Sequence, residues 1–132
     1  MEMPRLTLNA ITIGAPDPLA LADFYGRLLG RTVTTKSGPA PGEPPEAGFA
    51  KIASNGHDLE LNFEYERRWR TPVWPAEPDR PFATQHLDIQ VDDLDDAVAH
   101  AVAQCATLAE TQPQSDVRVL FDPAGHPFCL YL

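Results

Sequence analysis

Hydrophobic and polar residues alternate in short runs along this chain and twice give way to a helical stripe. Leu6–Ile13 alternates and ends at Gly14-Ala-Pro-Asp, which predicts a strand and a turn. Asp17 followed by Pro18 marks a helix start: an acceptor side chain at the cap, then a ring that needs no N–H. Leu21, Phe24, Tyr25, Leu28 and Leu29 form one apolar stripe over about residues 18–29, and Gly30 stops it. Arg31–Thr35 is β-branched and reads as a short strand. Lys36–Gly48 carries four prolines and three glycines and reads as an irregular loop. Phe49–Ala53 and Asp58–Phe63 form a strand pair around Asn55-Gly56, a dipeptide suited to a tight hairpin.

The pattern then repeats. Gln85–Val91 reads as a strand. A helix over about 94–105 places Leu94, Val98, Ala101, Val102 and Cys105 on one face. Thr107–Thr111, Val117–Phe121 and Pro127–Leu132 read as strands. Ile13 lies over Ile89, Asp17 over Asp93 and Leu29 over Cys105 at one constant offset. Gly56-His57 lies over Gly125-His126, and Leu61 over Leu130, at a shorter one. The difference fits a longer loop in the first copy. The expectation is an α+β fold, one domain spanning 1–132. It comprises two βαβββ modules (about 4–64 and 84–132) and a linker (about 65–83), with a curled mixed sheet around one cavity.

Composition narrows the function. With 132 residues, 43% hydrophobic and 22% charged, the chain is long enough for a globular core. A net charge of −9 argues against nucleic acid and anionic membranes as partners. No stretch is apolar for the length of a membrane span or shaped like a signal peptide, and two cysteines make no disulfide framework. The expected compartment is the cytoplasm. Asp92, Asp93, Asp95 and Asp96 are better explained as charge at a positive helix end than as a cation site. Trp69 and Trp74 in the proline-rich linker either pack it over an edge or line a pocket, and packing is the commoner fate.

Alternation sorts the strands into faces. Ile11, Ile13, Leu59, Leu61, Phe63, Leu87, Ile89, Phe128 and Leu130 share the apolar side, under the helices. The other side carries Ala10, Thr12, Glu60, Asn62, His86, Asp88, Cys129 and Tyr131. Arg118 joins it if Val117 and Val119 face the helix. Such a concave, mixed-polarity face suits a small-molecule pocket. Each residue also has a plain structural role open to it. His86 opens a strand and can simply hydrogen-bond its neighbours Gln85 or Asp88, Glu60 suits an exposed polar strand face, Cys129 and Cys105 a core, and His57 and His126 the turns.

These stretches resemble the vicinal oxygen chelate superfamily and, within it, small bacterial glyoxalase-like domains. The resemblance rests on Ala15–Arg31 (APDPLALADFYGRLLGR), Leu61–Phe63 with Thr71–Pro75, His86–Ala109 and Val117–Leu132 (VRVLFDPAGHPFCLYL). It covers nearly the whole chain. It implies two modules around one cavity, dimerisation, and in metal-dependent members four ligands, two per module, on a divalent ion. Carried over, those positions fall on His86 and Glu60, which can ligate; on Cys129, a soft ligand; and on Ala10, which cannot.

Two functions follow. In one the protein binds a small organic molecule with a degenerate metal site. In the other it is a metal-dependent lyase, isomerase or dioxygenase. There Glu60, His86 and Cys129 hold the ion, Glu60 is the catalytic group, and the metal polarises a substrate oxygen. In either, Asn62, Asp88, Arg118, Tyr131 and Trp74 are the expected ligand-binding residues, a divalent metal ion is the only cofactor in view, and the chain is a homodimer. A non-catalytic dimeric module with an incidental cavity is the third option.

Overall fold

The structure, a computed structural model, describes residues 2–132. The first module runs β1 (Ala10–Ala15), α1 (Pro18–Leu29), β2 (Thr35–Ser37), β3 (Phe49–Ile52) and β4 (Glu60–Tyr65). The second runs β5 (Leu87–Gln90), α2 (Leu94–Ala103), β6 (Thr107–Leu108), β7 (Val117–Phe121) and β8 (Pro127–Tyr131). Each module builds its own four-stranded sheet, in the orders β1-β4-β3-β2 and β5-β8-β7-β6. In both, the first strand pairs parallel to the last and the remaining pairs are antiparallel. The duplicated α+β architecture is as expected. The curled sheet consists of two separate sheets, not closed into a barrel.

Local chemistry sets the elements. The Asp17 carboxylate accepts from the Ala20 amide at 3.1 Å, Pro18 takes the first turn, and Gly30 ends α1 at φ 65°. Asp93 caps α2 in the same way, accepting from the Asp96 amide at 2.9 Å. Asp95 and Asp96 fill the first turn of α2, where negative charge meets the helix dipole.

Several boundaries differ from the expectation. Leu6–Asn9 is not strand: β4 starts at Glu60, whose amide donates to the Asn9 carbonyl at 3.2 Å, and the ladder begins at Ala10, which leaves Leu6 and Leu8 81% and 76% exposed. The second strand starts at Thr35, not Arg31. Lys36 and Ser37 therefore leave the irregular loop and pair with Ala50 and Phe49. The β3–β4 connection is wider than a two-residue turn. The Asn55 side chain accepts from the amides of His57 and Asp58 and organises it. Helix α2 ends at Ala103. Cys105 lies beyond it at φ 86° and is exposed, and Ala106 takes the core position instead.

One core serves both modules. Leu21, Phe24 and Tyr25 of α1 pack with Ile52, Leu61, Phe63, Leu120, Phe128 and Leu130 from the two sheets. Tyr25 stacks on Phe63 of the first sheet at 5.8 Å and meets Phe128 of the second edge-on at 6.2 Å. Burying one such ring is worth about 2–3 kcal/mol. Polar ties reinforce the joint. His126 bridges the Asp122 carboxylate (Nδ1, 2.8 Å) and the Gly14 carbonyl (Nε2, 2.9 Å). His100 meets the Leu28 carbonyl at 3.0 Å. The linker folds over the second module: Trp69 lies 4.8 Å from the His126 ring and Trp74 6.4 Å from Phe121. With the apolar faces of both sheets on this core, their polar faces point away from it.

Candidate functional site

Among the described residues, one group of His, Asp and Cys side chains comes together, on the polar face of the second sheet. Asp88 and Cys129 are direct partners across the parallel β5–β8 pair. His86 precedes Asp88 by two residues, so it projects from the same side. Its Nε2 lies 3.1 Å from Asp88 Oδ1. The possible ligand atoms of His86, Asp88 and Cys129 all lie within 4.8 Å of one another. With Gln114, Asp116, Val117 and Tyr131 these residues line a groove of about 320 Å³. Partial burial and the neighbouring Asp88 carboxylate push the Cys129 thiol above its ordinary pKa, so at neutral pH it is a protonated thiol beside a carboxylate.

The first sheet carries the other half of the expected set on its own polar face. Glu60 stands opposite Ala10, and Asn62 opposite Thr12 and Lys51. Lys51 Nζ lies 3.7 Å from Glu60 Oε1. Asn62 donates to the Thr12 hydroxyl at 3.5 Å and leaves its own Oδ1 buried without a donor. Among the described residues Glu60 is not part of the His86–Asp88–Cys129 group. The two halves thus occupy separate sheets of the chain. The registers also differ by one pleat: Ala10 faces Glu60, whereas Cys129 faces Asp88 rather than His86.

Two expected ligand-binding residues lie elsewhere. Arg118 is in register with Leu130, so it sits on the core side of β7. Its Nη1 donates to the carbonyls of Gln114, Ser115 and Val117, which spends the guanidinium on its own loop. Val117 and Val119 face the groove side with Tyr131 and Cys129. Trp74 packs on Phe121, away from the groove's lining residues. Sequence reading missed Gln114, Asp116 and Val117 as lining. Val-Arg-Val-Leu-Phe is apolar at both parities, and only the pairing of Leu120 with Phe128 decides which side is which.

The four positions that the sequence resemblance marks for metal ligands do not present a set of oxygen donors for a hard divalent ion. Ala10 offers a methyl group, Glu60 is engaged by Lys51, and only His86 and Cys129 stand together.

Comparison with known proteins places the fold. A family model described as a glyoxalase-like domain matches residues 10–131. The uncharacterized protein YaeR of Escherichia coli (strain K12) is 31% identical over 131 residues, 94% of each chain. The glyoxalase family protein from Enterococcus faecalis superposes with a TM-score of 0.66 at 18% identity, covering 96% of this chain and 97% of that one. TnmS3, an antibiotic binding protein from Streptomyces sp. CB03234, gives 0.60 at 19%, with 98% of each chain covered. A mutant of the fosfomycin resistance protein FosX from Listeria monocytogenes, complexed with Mn(II) and 1S,2S-dihydroxypropylphosphonic acid, gives 0.69 at 14%, covering 95% and 90%. At these identities the structural likenesses show the fold alone. The family model and the YaeR likeness reach further, and on them the chain belongs to the glyoxalase-like domain family.

Proposed function

We propose that the protein binds a small organic molecule on the polar faces of its sheets, without a tightly held octahedral metal ion. The groove lined by His86, Asp88, Cys129 and Tyr131 carries this reading. It offers a ring nitrogen, a carboxylate, a thiol, a phenol and the apolar wall of Val117, a mixture suited to orienting an oxygenated or aromatic ligand. The antibiotic-binding activity named for TnmS3 supports ligand capture on this fold. Asn62 would supply a second set of polar contacts from the first module.

The reading includes a homodimer in the cytoplasm. β1 and β5 each end their sheet with one unpaired edge, and the arm before β1 exposes Met3, Leu6 and Leu8. A second copy would cover these groups and bring the Glu60–Asn62 face of one protomer towards the His86–Cys129 face of its partner. The Mn(II) complex of FosX keeps the metal-dependent enzyme as the second reading, with Glu60 as its base.

A thermal-shift screen of small oxygenated metabolites and aromatic antibiotics, with and without manganese, separates the two. Stabilisation by a ligand in chelator-treated protein is expected. Stabilisation only after manganese is added would overturn the metal-independent reading.

A further inference from the structure

We propose that His86, Asp88 and Cys129 form a three-point site for a thiophilic divalent cation of the zinc class, built by the second module alone. The set differs from the four-position arrangement that the family resemblance implies. It uses Asp88, which that arrangement omits, and needs neither Ala10 nor Glu60.

Three observations carry it. First, the frame is fixed by backbone pairing. Asp88 and Cys129 are partners in the β5–β8 ladder, and His86 stands one pleat before Asp88. Second, the spacing is close to what a tetrahedral ion demands. Zinc–ligand bonds of about 2.0–2.3 Å put neighbouring ligand atoms roughly 3.3–3.8 Å apart. His86 Nε2 and Asp88 Oδ1 are already 3.1 Å apart, and all three ligand atoms fall within 4.8 Å, so side-chain rotation of about an ångström completes the site. Third, the donors are one imidazole nitrogen, one carboxylate oxygen and one sulfur. That set selects borderline and soft ions over manganese or magnesium.

The surroundings favour a cation. Asp116 lines the same groove, and Arg118, the one arginine of the second module, is turned to the carbonyls of its own loop. The side chains of His86 and Asp88 are 50% and 58% exposed, which leaves the fourth position open to water or to a ligand donor atom. On binding, the S–H bond of Cys129 breaks, the sulfur bonds the ion, and one proton leaves to solvent.

The test is a titration of zinc and of cobalt(II) into the purified, chelator-treated protein. One ion per chain is expected, and cobalt should bring a thiolate-to-cobalt charge-transfer band in the near ultraviolet. Cys129→Ser should abolish the band. His86→Asn and Asp88→Asn should each weaken zinc by roughly tenfold or more, while Glu60→Gln should leave zinc affinity within about twofold. Circular dichroism of each variant separates loss of a ligand from loss of the fold. Absence of the band at saturating cobalt, or unchanged zinc affinity in Asp88→Asn, would overturn the proposal. So would a loss in Glu60→Gln equal to that in Asp88→Asn, which would point back to the inherited set. A failure here leaves the organic-ligand reading intact, because that reading is scored by ligand stabilisation in metal-free protein.

Discussion

Tyr25 on the helix of the first module donates its hydroxyl to Asp122 at the end of β7 in the second, across 2.8 Å. Both groups are buried, and Asp122 also accepts from the amides of Ala124 and His126 and meets the His126 ring. A carboxylate with this many donors is the polar centre of the joint between modules. Tyr25→Phe removes one donor and should cost about 1–3 kcal/mol. Asp122→Ala strands several donors at once and should cost about 3–5 kcal/mol. Urea denaturation of the three proteins measures both, and equal stability would remove Asp122 from this role.

The same contact makes stability fall in alkali. Burial first, then the charge of Asp122, holds the Tyr25 phenol well above its ordinary pKa of 10.0. The proton is therefore retained longer in the folded chain than in the unfolded one. Stability from this group is fully present below about pH 10 and drains away as pH rises above it, while the unfolded phenol ionises first. Denaturation curves taken from about pH 8 to 11 should show that loss, and Tyr25→Phe should flatten it. An identical fall in the variant would assign the loss elsewhere.

The two thiols should react in a fixed order. Cys105 is exposed on the turn after α2. Cys129 is partly buried and its pKa is raised by burial and by Asp88. Iodoacetamide at neutral pH should alkylate Cys105 first, since the thiolate is the reacting form. Asp88→Asn should speed Cys129 by severalfold. Peptide mass mapping over time reads both rates, and a Cys129 that reacts first would contradict the assigned environment.

Gly125 marks where the linker meets the second module. Its φ is 98°, and a Cβ there would run into the Thr71 methyl. Gly125→Ala should lose about 1–3 kcal/mol from backbone strain and the clash together. Thr71→Ser on that background removes the methyl and should restore part of the loss. No recovery would leave backbone strain as the whole cause.

The exposed arm gives the dimer its test. Light scattering should report twice the chain mass at micromolar concentration. Leu6→Asp with Leu8→Asp should shift the protein towards monomer without changing its circular dichroism. A monomeric native protein would contradict the dimer.

How far the chain could be read depended on whether a local signal stood alone. The ends of α1 were legible because Asp17-Pro18 and Gly30 need no tertiary partner to act. Leu6–Asn9 was misread because alternation describes a strand's faces but not whether a neighbour exists to pair with it. Cys105 continued the helical stripe in sequence, yet α2 closes two residues earlier, at Ala103, and the chain leaves in a left-handed conformation. The site was legible as a list of polar-face residues and less so as a constellation. Parity puts Glu60 and His86 on polar faces, but it cannot say that these belong to separate sheets or that Lys51 holds Glu60. The Asp88–Cys129 pairing needed the register of β5 on β8, which the repeat offsets place one pleat away.

Manganese titration calorimetry on the chelator-treated native protein bears most directly on the central claim, ligand binding without a hard metal ion. With Ala10 offering no donor and Glu60 engaged by Lys51, no saturable heat is expected at concentrations of about 10–100 μM. Stoichiometric manganese binding with a dissociation constant at or below about 1 μM would contradict it, since an octahedral ion held that tightly needs several free oxygen ligands.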